Sequence, residues 1–102
     1  MNVVSSKKFS KSWLKFIDYA LNNYGETIAT KKKNKLVEII KRLEMFPLSG
    51  HIDPYLQGRE KVFRVVKFED KYNLVYCIEN DSIILVNLLD TFQNPKNRKK
   101  RL

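Results

Sequence analysis

Residues 63–90 read Phe63-Arg64-Val65-Val66-Lys67-Phe68-Glu69-Asp70-Lys71-Tyr72-Asn73-Leu74-Val75-Tyr76-Cys77-Ile78-Glu79-Asn80-Asp81-Ser82-Ile83-Ile84-Leu85-Val86-Asn87-Leu88-Leu89-Asp90. The stretch from Lys61 to Phe68 is rich in β-branched and aromatic side chains. Tyr72 to Glu79 alternates Tyr72, Leu74, Tyr76 and Ile78 with Asn73, Val75, Cys77 and Glu79, and Ser82 to Leu89 is almost continuously apolar. Three consecutive strands are predicted. The segments between them, Glu69-Asp70-Lys71 and Asn80-Asp81, are short and turn-prone, so the strands form an antiparallel meander. The last strand lacks a polar face, which predicts a central position covered on both sides.

Upstream of this stretch the period of the pattern lengthens. Phe9, Trp13, Phe16, Ile17, Ala20, Leu21 and Tyr24 recur at spacings of three and four, with Lys8, Lys11, Lys15, Asp18 and Asn22 between them. That is one apolar stripe on a helix. Ser5 or Ser6 suits its N-cap and Gly25 its end. A second helix is predicted from about Thr27 to Phe46, with Ile28, Leu36, Ile39, Ile40, Leu43 and Phe46 inward, Lys31 to Lys33 and Lys35 outward, and Pro47 as its stop. The short link at Gly25 makes the two helices an antiparallel hairpin. From Leu48 to Arg59 periodicity is lost, and Pro47, Gly50, Pro54 and Gly58 mark a long loop. Val3 and Val4 suit a short N-terminal strand. The order β-α-α-β-β-β predicts an α+β domain, its helical hairpin packed on one face of a small antiparallel sheet. One domain is expected over residues 1–90. Residues 91–102 form a basic C-terminal tail without an acidic residue.

The whole chain, at 102 residues, has length for a single hydrophobic core that needs no metal or disulfide staple. Twenty Lys and Arg against eleven Asp and Glu leave a formal charge of +9, a potential that draws polyanions: nucleic acid, an acidic protein or an anionic surface. With one cysteine, Cys77, and one histidine, His51, neither an internal disulfide nor a Cys/His metal cluster is expected, and no cofactor is called for. The longest aliphatic run, Ile83 to Val86, is far short of a membrane span, and the N-terminus lacks a signal-like apolar core, so a cytoplasmic protein without a membrane partner is expected.

Read in order, the chain resembles the RelE/ParE superfamily of bacterial toxins, the toxin half of type II toxin-antitoxin modules. The resemblance rests on Tyr24-Gly25 followed by Ala29, then on Leu43 with Phe46-Pro47 and Gly50. It continues through Phe63-Arg64-Val65, Tyr72-Asn73-Leu74-Val75-Tyr76, and Ile83 to Asp90 closing with Asp90-Thr91-Phe92-Gln93-Asn94-Pro95. It implies a cognate acidic antitoxin that wraps the toxin, with a heterotetramer or higher complex among the assemblies it allows. It also implies one of two targets, mRNA on the ribosome or DNA gyrase. A ribonucleolytic member is a metal-independent endoribonuclease. Its side chains must accept the 2′-hydroxyl proton, protonate the leaving 5′-oxygen and neutralise the phosphate.

On that pattern the catalytic candidates are Arg64, Lys61 and Arg59, and those for contact with nucleic acid or another target are Lys67, Asn73, Phe92, Arg98 and Lys99. Two positions depart from it. Asn73 stands where ribonucleolytic relatives often carry Arg, Phe92 stands where related sequences commonly read Asp-Thr-Arg-Gln-Asn-Pro, and neither Tyr nor His follows Tyr76. The alternative is a basic nucleic-acid-binding module or a degenerate toxin without catalysis. Structural roles compete at each site: Arg64 as a strand-surface ion-pair partner, Arg59 and Lys61 as loop charges, Tyr72 and Tyr76 as core. Likewise His51 suits a surface loop, Cys77 a small buried hydrophobe, Lys31 to Lys35 a solvated helix face, and Asp90 a strand end.

Overall fold

In the computed structural model, which describes residues 1–54, 61–69 and 71–90, the predicted meander is the middle of a five-stranded sheet. The elements run β1 (Asn2–Ser5), α1 (Lys7–Tyr24), α2 (Glu26–Met45), β2 (His51–Ile52), β3 (Arg64–Phe68), β4 (Tyr72–Glu79) and β5 (Ser82–Asp90). Their order in the sheet is β1-β5-β4-β3-β2. The strands are antiparallel neighbours except β1, which lies parallel to β5 with Val3 opposite Ile83. As its composition required, β5 is interior. The short strand β2 corrects the loop expected from Leu48 to Arg59: His51 and Ile52 pair with Val65 and Arg64 along the edge. Two residues are too few to show an alternation.

Both meander turns follow from their residues. Asn80 and Asp81 adopt φ of 48° and 63° between the paired Glu79 and Ser82, a two-residue hairpin loop with both centres left-handed. At the other turn Glu69 is itself left-handed, at φ 54°. Within the β4–β5 ladder Val75 faces Asn87 whereas Tyr76 faces Leu85, so Val86 is an extra residue and β5 bulges there. The bulge shifts the alternation by one. Ile83, Leu85 and Leu88 therefore all join the helix-side core with Phe9, Leu36, Ile39, Leu43, Phe68, Leu74 and Tyr76. Leu89 joins Phe63, Val75 and Cys77 on the opposite face, with Val65, Ile84 and Val86 at its margin.

Ser6 caps α1 and ties it to the bulge: its Oγ accepts from the Phe9 amide at 2.9 Å and donates to the Val86 carbonyl at 2.8 Å. At the other end Gly25, at φ 89° and ψ 174°, terminates α1 and starts α2 by itself. That region of backbone space belongs essentially to glycine. Four residues expected inward are not buried. Tyr24 and Ile28 lie within three residues of Gly25 and line a groove between the hairpin and the sheet, while Leu21 lies in a separate shallow concavity with Leu14 and Ile17. Phe46 is outside α2, at φ −132° and ψ 73°, so the helical period does not reach it. Lys31, Lys33 and Lys35 are exposed as expected, but Lys32 is half-buried and turned toward the sheet.

Candidate functional site

Arg64 opens β3 opposite Tyr76, on the face that carries the helices. Its Nη1 donates to the carbonyl of Gly50 at 2.9 Å and to that of Leu48 at 3.3 Å. The wholly buried Tyr76 binds the same corner: its hydroxyl donates to the Pro47 carbonyl at 2.7 Å and accepts from the Gly50 amide at 2.9 Å. Two side chains from the sheet thus hold the segment in which α2 ends. Gly50 is needed by space, since a Cβ on it would lie 2.6 Å from the Tyr76 hydroxyl oxygen and 2.7 Å from Cε1.

The other candidate cations sit elsewhere. Lys61 Nζ is 3.0 Å from Glu79 Oε1, and the alternation along β4 puts Glu79 on the face opposite Tyr76. Lys61 and Arg64 thus engage partners on opposite faces of the sheet. Lys67 and Asn73 are register partners on the face away from the helices, Lys67 exposed and Asn73 half-buried. Arg59, Phe92, Arg98 and Lys99 lie outside the described residues. His51 is exposed on β2 and Cys77 is buried, as the sequence suggested. Burial, and secondarily the Glu79 carboxylate, push the Cys77 thiol above its ordinary pKa.

One concavity was not foreseen. A groove of about 700 Å³ separates the Gly25 end of the hairpin from the β3–β4 turn, floored by Phe16, Ala20 and Tyr72 and rimmed by Lys32, Lys35 and Lys71. Its floor is an aromatic stack: Phe16 meets Tyr72 edge-on at 4.9 Å and Phe68 at 5.4 Å, and Trp13 meets Phe68 at 5.8 Å. Across the top, Lys32 Nζ lies 2.6 Å from Glu69 Oε2 and 5.5 Å from the centre of the Phe16 ring. Tyr72 faces Asp90 in the ladder. Burial first, and then the Asp90 carboxylate, raise the Tyr72 phenol above its ordinary pKa, so it stays a neutral donor. Such a groove offers apolar contact below and cationic contact above. The sequence held a faint signal for it: the α1 stripe runs on to Tyr24, past what the sheet can cover.

Among the described residues no group of three His, Cys, Asp or Glu side chains is placed to hold a metal, and no helix is long and apolar enough to cross a membrane. A two-helix hairpin on one face of a mixed sheet, on a chain of charge +9, is the α+β arrangement that the resemblance to the RelE/ParE superfamily implied. A family model described as the ParE toxin of the type II toxin-antitoxin system parDE matches residues 3–95, and the chain belongs to that family. No curated protein matches the sequence. Among solved structures, the chromosomal ParDE toxin-antitoxin system from P. aeruginosa is similar in fold. Its TM-score is 0.70 at 16% identity, over 88% of this chain and 95% of that one.

Proposed function

We propose that this ParE-family toxin acts in the cytoplasm by binding and inhibiting DNA gyrase rather than by cutting mRNA, and that an acidic antitoxin neutralises it. One observation carries the choice of mechanism. Tyr76 and Arg64, the hydroxyl and guanidinium on the sheet best suited by type to proton transfer and phosphate neutralisation, are both bonded to the main chain of the Pro47–Gly50 corner. Swinging Tyr76 toward a phosphate leaves the buried Gly50 amide unpaired, and swinging Arg64 releases the carbonyls of Leu48 and Gly50. Lys61, a second cation of the candidate set, is paired to Glu79. The departures at Asn73 and Phe92 point the same way. An inhibitor needs no acid-base pair; it needs surface and charge, and the chain has both.

The test uses the purified full chain in two assays. Supercoiling by gyrase is expected to fall as toxin approaches stoichiometry with the enzyme, while mRNA on translating ribosomes gains no new ends. Cleaved mRNA with supercoiling intact overturns the mechanism. In cells, expression of the chain alone is expected to arrest growth and co-expression of the adjacent reading frame to restore it. Normal growth at confirmed soluble expression supports a degenerate toxin instead.

A further inference from the structure

Among the described residues, the groove between the hairpin and the β3–β4 turn already holds two carboxylates, Asp90 at the end of β5 and Glu69, the latter bound to a lysine of α2. Glu69 comes from the turn and Lys32 from α2; their contact closes over the Phe16 ring, and both side chains are largely shielded from solvent. Lys35 and Lys71 add positive charge at the rim, while Phe16, Ala20, Tyr24, Ile28 and Tyr72 present apolar surface beneath it. A segment carrying apolar side chains on one stripe and carboxylates beside it matches this arrangement. Neither a second copy of this chain, at +9, nor its own residues 91–102, which contain five cations and no acid, offers that charge. The mode of contact also follows. Tyr72, on the floor, is hydrogen-bonded into the ladder between Phe68 and Asp90, so the floor presents no open strand edge; Asp90 alone of the lining lies where β5 runs past its pairing with β1. An occupant seated on the floor brings its own backbone hydrogen bonds, which a helix does.

We infer that Glu69 is an internal competitor for this groove: it occupies on Lys32 the seat that a carboxylate of an acidic amphipathic antitoxin helix takes in the complex. The inference rests on the antitoxin reading above and adds to it the place and a control on affinity. Binding exchanges one carboxylate for another on the same ammonium, so the free toxin keeps Lys32 paired and oriented while limiting how tightly a partner is held. Glu69 is retained near a partner that shares its charge, and that repulsion works in the same direction.

The experiment measures the affinity of the full-length chain for the full-length product of the adjacent reading frame, with thermal melting of every variant recorded. Glu69→Gln, nearly isosteric, is expected to tighten binding about 2- to 5-fold, the range of a partly exposed ion pair. Lys32→Met is expected to weaken it on the order of 10-fold, and in the Lys32→Met background the gain from Glu69→Gln shrinks to the share that relieved repulsion supplies. Should Glu69→Gln leave affinity unchanged or lower it while Lys32→Met weakens binding, the groove is the docking site and the competition is refuted. Tight binding that is indifferent to Lys32→Met and to Tyr24→Ser refutes the groove and keeps the antitoxin. No binding by the unaltered chain refutes the antitoxin reading itself.

Discussion

Tyr76 has no exposed surface, and its hydroxyl both donates and accepts within the Pro47–Gly50 corner. Tyr76→Phe keeps the ring but strands a buried amide and carbonyl, at a cost of about 1–3 kcal/mol. Melting is expected to drop by on the order of 10 °C, since each kcal/mol moves a domain of this size by roughly 4–8 °C. Gly50→Ala is expected to be comparably destabilising, and Tyr76→Phe does not rescue it, because the ring carbon Cε1 still lies 2.7 Å from the added methyl. Arg64→Ala is expected to lower the melting temperature while Lys33→Ala leaves it in place, for Arg64 anchors two carbonyls and Lys33 is exposed. Cys77 gives a pH signature. Its thiol is pushed up by burial and then by Glu79, so above about pH 8.5 the unfolded chain releases a proton that the folded chain retains. The contribution of this group to stability is therefore full below that pH and lost as pH rises toward the folded value. Cys77→Ser is expected to flatten the alkaline limb of a stability-pH curve, and alkylation of the native thiol to proceed only as fast as unfolding.

At the scale of elements, both helices and β4 were legible because each has a face and a face imposes a period, whereas β3 showed in its β-branched and aromatic content and β5 in an apolar run bounded by turn residues. What escaped the sequence carried no such signal. The strand β2 is two residues long, and the bulge at Val86 lies in a run that is apolar on both sides, where a shift of one position changes no residue type. The candidate site was legible only as residue types. That Arg64 and Tyr76 meet a corner nearly thirty residues back along the chain in the case of Tyr76, at a separation of 29, is a fact of packing and not of spacing. The groove was hidden for a similar reason, since a stripe longer than the sheet beneath it looks like any other stripe. The hairpin link makes its own prediction. Nothing lies within 4 Å of a Cβ added at Gly25, so Gly25→Ala isolates backbone strain from crowding. A loss of about 1–3 kcal/mol is expected by denaturant titration, with the slope of the titration unchanged.

For the molecule as a whole, charge governs encounter. A body of +9 meeting an antitoxin of the proposed acidic character is steered, and the Debye length shrinks from about 14 to 4 Å between 0.05 and 0.5 M salt. The association rate, by stopped flow, is expected to fall on the order of 10-fold or more across that range; a flat profile overturns charge steering. The sheet also has a history written into its order. Strand β1, at residues 2–5, lies beside β5 at residues 82–85, and the cap of α1 reaches across a separation of 80 to Val86. During synthesis the first strand waits for the last, since its neighbour does not exist until nearly the whole domain has emerged. Any surface built by the assembled sheet is thereby absent until the chain is nearly complete, whatever partner it later meets.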